Sequence, residues 1–169
     1  MNKLYLAGGC FWCISDYFLM QDGVEEVNVG YSGGLEKDAT YEMVKAQKTK
    51  HRESIEIIYD ENTISLNELL DLYFIYVDVL DEGGQGIDRG RSYSLALYYQ
   101  NEDEKNLFIL KKHQIEEEIH AEAHVSIEPF KFFIEAEEEH QHFSFKNPER
   151  FEEELKASNH LDHLKEKKK

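Results

Sequence analysis

The sequence predicts an α+β fold, a central mixed sheet of four to six strands with helices packed in two layers. Three observations carry this. Apolar runs and period-two alternation mark short strands at residues 4–7, 24–31, 53–59 and 93–99. Helical spacing falls between or after them, following Cys13, from Ser65 to Tyr76, and over residues 102–124. A length of 169 residues, 41% hydrophobic content, ten Phe and ten Tyr suit one domain with a real core. Residues 1–169 are read as that single domain, with Lys165-Glu166-Lys167-Lys168-Lys169 as a frayed, solvated basic end.

The first strand leads directly into the densest chemistry of the chain. Both cysteines and the single tryptophan lie in Gly8-Gly9-Cys10-Phe11-Trp12-Cys13. The glycines read as a strand-to-helix turn, because Ile14, Tyr17 and Phe18 beyond them have helical spacing. Cys10 then stands at or near a helix N-terminus, where unpaired N–H groups and the helix dipole favour negative charge. A thiolate, nucleophilic at neutral pH, is the expected consequence. Cys13 follows one turn later on the same face, within disulfide reach after modest adjustment. Phe11 and Trp12 form an aromatic wall beside the sulfur. Two inert core cysteines are the plain alternative, which leaves the Gly-Gly lead-in unexplained. A zinc half-site is another, with no second CxxC and no well-spaced histidine pair to complete a finger. A lipid-attachment cysteine is not expected so near Met1.

Further along, Val27, Val29 and Tyr31 share one face of a strand that Gly33 and Gly34 end. Thr40 is placed to cap a short helical turn starting at Tyr41. In the next strand Ile55, Ile57 and Tyr59 share a face with Glu53, whose carboxylate either points into the core or sits at a frayed end in water. Burial would raise its pKa and keep it protonated at neutral pH. Asp60-Glu61-Asn62 is a turn, and Ser65 with Glu68 opens a helix in a capping-box pattern, continued by Leu69, Leu70, Leu72, Tyr73 and Tyr76. Residues 83–90 read as a glycine-rich loop with no element of its own. The strand after it puts Tyr93, Leu95, Leu97 and Tyr99 on one face, so Tyr93 repeats the Glu53 arrangement.

The C-terminal half is more polar. Residues 102–124 read as one helix with Phe108, Ile115 and Ile119 as its apolar stripe and His113, His120 and His124 on a solvated face opposite. Phe130, Phe132 and Ile134 alternate in a segment that Pro129 assigns to a sheet edge. His140-Gln141 lies in a helical or irregular stretch, and Asn147-Pro148 marks a break before a charged helix from Glu149. A formal charge of -16 repels phosphate backbones, so nucleic acid is not an expected partner. No apolar run is long enough to span a membrane and no leader pattern opens the chain, so the expected address is the cytoplasm. Two cysteines in that reducing compartment read as catalytic rather than structural.

Five separated pieces, in order, carry a family resemblance: Gly9-Cys10-Phe11-Trp12; Gly30-Tyr31-Ser32-Gly33-Gly34; Thr40-Tyr41-Glu42-Met43-Val44 leading to His51-Arg52-Glu53; Gln85-Gly86-Ile87-Asp88-Arg89-Gly90 with Tyr93; and Ala136-Glu137-Glu138-Glu139-His140-Gln141. Together they resemble the A-type peptide methionine sulfoxide reductases over most of the chain. The resemblance implies a ferredoxin-like core and no metal or organic cofactor. It implies Cys10 as nucleophile, Phe11 and Trp12 around the substrate methyl group, and Glu53, Tyr41 and Tyr93 around the sulfoxide oxygen. Asp88 matches an aspartate near the substrate amide. The substrate would be the S epimer of methionine sulfoxide, free or in oxidised proteins, with thioredoxin or another thiol reductant as partner. The residues suit that chemistry, since sulfoxide reduction needs a soft nucleophile at sulfur and a proton donor at oxygen.

The chain departs from the family in places. Resolving cysteines near the C-terminus are missing, so recycling falls to Cys13 or an external thiol. Ser92-Tyr93-Ser94 stands for the usual Gln-Tyr-Arg, Val77-Asp78-Val79 for His-Asp-Pro, and Glu139 for a Tyr. Two other functions fit the CxxC. A thioredoxin-like oxidoreductase would need a proline loop against the cysteines, for which Pro129 is the candidate. A metal-binding module would need histidines to complete the site.

Overall fold

The apolar N-terminal run forms the central strand of the sheet. In the computed structural model, which describes residues 1–142, 148 and 149, strand β1 (Asn2–Gly8) lies between β3 (Arg52–Tyr59) and β6 (Leu95–Tyr99), antiparallel to both. Strand β2 (Val24–Ser32) pairs outside β3, and the short β8 (Ile134–Glu135) outside β2. On the other edge β7 (Val125–Pro129) runs parallel to β6, which makes the sheet mixed, in the order β7-β6-β1-β3-β2-β8. Helix α1 (Phe11–Leu19) connects β1 to β2, and α3 (Leu66–Tyr76) connects β3 to β6. The four inner strands and these two helices form a ferredoxin-like β-α-β-β-α-β unit. Apart from Glu149, the charged helix expected from that residue and the basic tail lie outside the described residues.

Strand alternation separates two cores. Leu4, Leu6, Val27, Val29, Ile55, Ile57, Leu95 and Leu97 pack with Phe11, Ile14 and Phe18 of α1, with Leu69, Leu70 and Tyr73 of α3, and with Phe108 of α4 (Glu102–Ile119). The opposite parity, Tyr5, Ala7, Ala96 and Tyr98, is covered by Phe130 and Phe133, with Tyr5 stacked on Phe130 at 3.9 Å between ring centres. Side chains fix the helix starts. Thr40 Oγ1 accepts the Met43 N–H, opening α2 (Tyr41–Lys45), and Ser65 with Glu68 completes the expected capping box. Asn101 caps α4 by accepting from Glu104 N–H at 2.9 Å. Each such cap stabilises by about 1 kcal/mol.

Four expectations are corrected. Tyr93 is not on a strand: Gly90, at φ +112°, directs the chain into a 3-10 turn, Arg91–Tyr93, closed by Tyr93 N–H to Gly90 and Ser94 N–H to Arg91. The glycine-rich stretch is not structureless, because Gly84–Gln85 (β4) and Asp88–Arg89 (β5) pair as a small hairpin. The polar helix stops at Ile119, where His120 turns left-handed at φ +54°, so His113, His120 and His124 do not share a helix face. The edge segment expected around Pro129 is split: β7 ends on Pro129, Phe130 and Phe133 leave the ladder to cover Tyr5, and pairing resumes only at Ile134–Glu135 (β8), on the opposite edge of the sheet.

Candidate active site

Cys10 occupies the N-cap of α1, in non-helical backbone, with its carbonyl accepting from Ile14 N–H. The two preceding glycines have distinct reasons. A Cβ on Gly8 would collide with Ile14 Cδ1, and Gly9 takes φ +86°. Both thiols are free and buried, Cys10 at 5% exposure and Cys13 at 2%. The expected resting thiolate at Cys10 is a correction. Its pKa is pushed well above the ordinary value by contact with the Cys13 thiol, by burial, and by the nearby Glu53 and Asp88 carboxyls. Desolvation and adjacent acids outweigh the helix dipole here. The helix start nonetheless spends its first N–H well: Phe11 N–H donates to Glu53 Oε1 at 3.1 Å.

Glu53 lies opposite Tyr31 on the β2–β3 ladder, and its parity puts it on the helix side of the sheet. It is 1% exposed, which resolves the choice between core and frayed end in favour of the core. Burial pushes its pKa up to about 8; the Phe11 N–H opposes this, the Asp88 charge adds to it, and Tyr93 and Lys45 oppose it. At neutral pH Glu53 is therefore mainly a carboxylic acid. Its Oε2 is buried and lacks a well-formed hydrogen bond, although the Tyr93 hydroxyl is near enough to act on it. Tyr93 is itself raised, first by burial and then by Glu53, Tyr41, Asp88 and Cys10, so it is a proton-bearing donor.

Aromatic rings enclose the space beside Cys10. Tyr41 stacks on Phe11 and Trp12 at 6.0 and 5.8 Å, and His140 closes the group at 4.1 Å from Tyr41 and 5.7 Å from Trp12. Asp88 arrives on the β4–β5 hairpin, which Gln85 fastens: its amide accepts from Asp78 N–H and donates to the Asp78 and Gly84 carbonyls. The structure thus brings Cys10, Cys13, Phe11, Trp12, Tyr41, Glu53, Asp88 and Tyr93 to one end of the sheet. Pro129, by contrast, pairs with Tyr99 at the end of β6 away from Leu95, whereas Gly8 meets Leu95. A proline loop of the thioredoxin kind therefore cannot be built from Pro129.

Sequence reasoning gave no role to three residues that hold this site. Glu137 accepts from the Tyr31 hydroxyl at 2.9 Å and from the Tyr41 N–H at 3.2 Å. Burial works against its charge, but those bonds and its own backbone N–H keep its pKa below the ordinary value. One carboxyl is thus held neutral and a neighbour ionised, a separation imposed by environment alone. His140 and Gln141 lie in the same motif. Gln141 bonds the Val29 N–H and carbonyl and the Ala136 carbonyl, which secures His140 beside Trp12. Their signal in the sequence was the Glu137–Gln141 cluster itself. Donor atoms of Glu137, Glu139 and His140 lie within 4.8 Å of one another, with both carboxylates exposed. Glu139 is at the rim, 3.6 Å from His140.

The family profile of peptide methionine sulfoxide reductase matches residues 2–169. The chain belongs to that family. A peptide methionine sulfoxide reductase MsrA of Clostridium botulinum is 38% identical over 148 residues, covering 88% of this chain and 94% of the relative. The reduced form of Mxr1 from Saccharomyces cerevisiae superposes with a TM-score of 0.82 at 29% identity, covering 88% of this chain and 86% of the other. The fold of Mxr1 in complex with Trx2 is also similar, with a TM-score of 0.54 at 20% identity over 82% and 83% of the two chains. Membership of the peptide methionine sulfoxide reductases agrees with the resemblance drawn from the five sequence motifs and with the mixed α+β sheet.

Proposed function

We propose that this protein reduces methionine sulfoxide, free or within oxidised proteins, at the expense of its own thiols, and so acts in protein repair. The observation that carries the reading is Glu53, buried in the core and tied to the first helical N–H beside Cys10, where burial raises its pKa and favours its acid form. In the first step the Cys10 sulfur attacks the sulfoxide sulfur. The Cys10 thiol proton passes to Glu53 as Glu53 gives its own proton to the oxygen, which the Tyr41 and Tyr93 hydroxyls hydrogen-bond. The oxygen then moves to the Cys10 sulfur as the substrate S–O bond and the new S–S bond break, with the S–S electron pair left on the thioether sulfur. The thioether leaves reduced and Cys10 carries the oxygen as a sulfenic acid. Cys13 then attacks the Cys10 sulfur, releasing water and forming a disulfide. A dithiol of the thioredoxin type reduces that disulfide by exchange, as the Mxr1–Trx2 complex suggests for a relative.

Phe11, Trp12, Tyr41 and His140 supply an apolar surround for the substrate methyl group, and Asp88 an acceptor for its amide. The raised Cys10 pKa fits a sulfur activated by substrate rather than at rest. The sulfoxide dipole places positive sulfur against Cys10 and negative oxygen against the Glu53 proton, which favours the thiolate. The family resemblance points to the S epimer. Among the described residues no helix is long and apolar enough to cross a membrane; the proposed address is the cytoplasm, whose reducing poise suits two cysteines that cycle.

Thiol counting tests the scheme. Reduced protein freed of reductant, mixed with excess blocked methionine sulfoxide, should yield close to one methionine per chain and lose both thiols. Cys10→Ser should yield none. Cys13→Ser should still yield one methionine but fail to turn over with thioredoxin; sustained turnover by that variant would overturn the Cys10–Cys13 cycle.

A further inference from the structure

The two hydroxyls assigned to the sulfoxide oxygen come from separate pieces of chain: Tyr41 opens α2, and Tyr93 ends the 3-10 turn Arg91–Tyr93. Gln47 joins them. It stands just past Ala46, the C-cap of α2, with Gln47 N–H donating to the Val44 carbonyl and Lys48 N–H to the Met43 carbonyl, a helix ending that requires a left-handed residue. Glycine is the usual occupant of such a position, yet here a glutamine holds φ +60°. Its side chain explains why. The Gln47 amide donates through Nε2 to Ser92 Oγ at 2.7 Å and accepts the Ser92 N–H through Oε1 at 3.2 Å. It also lies flat over Gly90, where a Cβ would come 2.7 Å from the amide carbon. Both partners precede Tyr93 in its turn, Ser92 directly and Gly90 as acceptor of the Tyr93 N–H, and Ser92 is one of the residues at which the chain departs from its family.

We propose that Gln47 is a positioning residue that sets the Tyr93 hydroxyl against Tyr41 and Glu53. Its amide spans from the end of the Tyr41 helix to the residue before Tyr93, so the gap between the two hydroxyls is fixed by one side chain. The left-handed glutamine makes a bridge that no glycine could make. Ser92 serves as the other half of the clamp. The inference rests on the sulfoxide reductase reading, since it assigns Gln47 an effect only through the Tyr93 hydroxyl.

Gln47→Gly separates the backbone from the amide, because glycine satisfies the helix ending and removes the bridge together with the longer, exposed Nε2 bond to the Lys45 carbonyl at 3.3 Å. Four proteins decide it: wild type, Gln47→Gly, Tyr93→Phe and the double variant, each followed by single-turnover reduction of blocked methionine sulfoxide and by thermal melting. Gln47→Gly should melt at or above the wild-type temperature and lose roughly tenfold in the reduction rate. The loss should vanish in the Tyr93→Phe background, where no hydroxyl remains to be positioned. Ser92→Ala, which removes the Oγ contact but leaves the Ser92 N–H bond to Gln47 Oε1, should show part of the Gln47→Gly loss and add nothing to it in combination. An unchanged rate in Gln47→Gly, or an equal loss with and without the Tyr93 hydroxyl, would overturn the inference while leaving the reductase reading intact. A wild type that reduces no sulfoxide would overturn both.

Discussion

Replacing Glu53 with Gln should make the protein more stable and much less active. The buried carboxyl is held at about 8 instead of its ordinary 4.5, which disfavours its charged form by about 5 kcal/mol at ~1.4 kcal/mol per pKa unit. The folded state therefore binds more protons than the unfolded state between those values, so this group's contribution to stability is full below pH 4.5 and is lost as pH rises to about 8. At pH 7 the loss is already about 3 kcal/mol. A neutral Gln does not pay it, while its Oε1 can still accept the Phe11 N–H. At roughly 2–4 °C per kcal/mol for a chain of this size, melting should rise by about 6–12 °C at pH 7. The sulfoxide oxygen meanwhile loses its proton donor, and reduction should slow by roughly 10²–10⁴-fold. Melting of reduced wild type and Glu53→Gln at about pH 5, 7 and 9, with single-turnover rates alongside, checks both arms. A stability gap that fails to widen from pH 5 to 9, or a variant melting below wild type at pH 9, would refute the burial argument.

Two further outcomes follow from the same geometry. Cys10, buried and with its thiol pKa raised, should react slowly with iodoacetamide at neutral pH and faster as pH climbs above the ordinary thiol range; rapid labelling at pH 7 would contradict the raised pKa. Gly30→Ala should destabilise by about 1–3 kcal/mol in urea, because the new Cβ meets the Ile134 carbonyl, a backbone atom that cannot swing away. By displacing β8, which leads to Glu137, the same change should also weaken the hold on Tyr41 and slow reduction.

Local signals determined most of the fold and marked the groups proposed to react. Alternation in residues 24–31 and 53–59, the Thr40 and Ser65 caps, and the Gly8-Gly9 turn are encoded within a few neighbouring residues, and each stands in the structure as its sequence implied. Cys10, Glu53, Tyr41 and Tyr93 could be picked out because their residue types and motifs are unusual. What the sequence could not carry was anything set by residues far along the chain. Whether Glu53 was wet or buried depended on α1 closing over β3, and that same burial reversed the expectation of a resting Cys10 thiolate. Tyr93 alternated like a strand residue, but hydrogen bonds back to Gly90 and the grip of Gln47 made it part of a turn. His120 ended a helix whose polar pattern ran on to residue 124, because a left-handed backbone leaves no mark in hydropathy. Glu137 showed only as one of several acids until tertiary folding set its carboxylate against Tyr31 and Tyr41. Periodicity specifies the faces of elements and motifs specify reactive groups; solvation, and hence the charge those groups carry, is decided only when the elements pack.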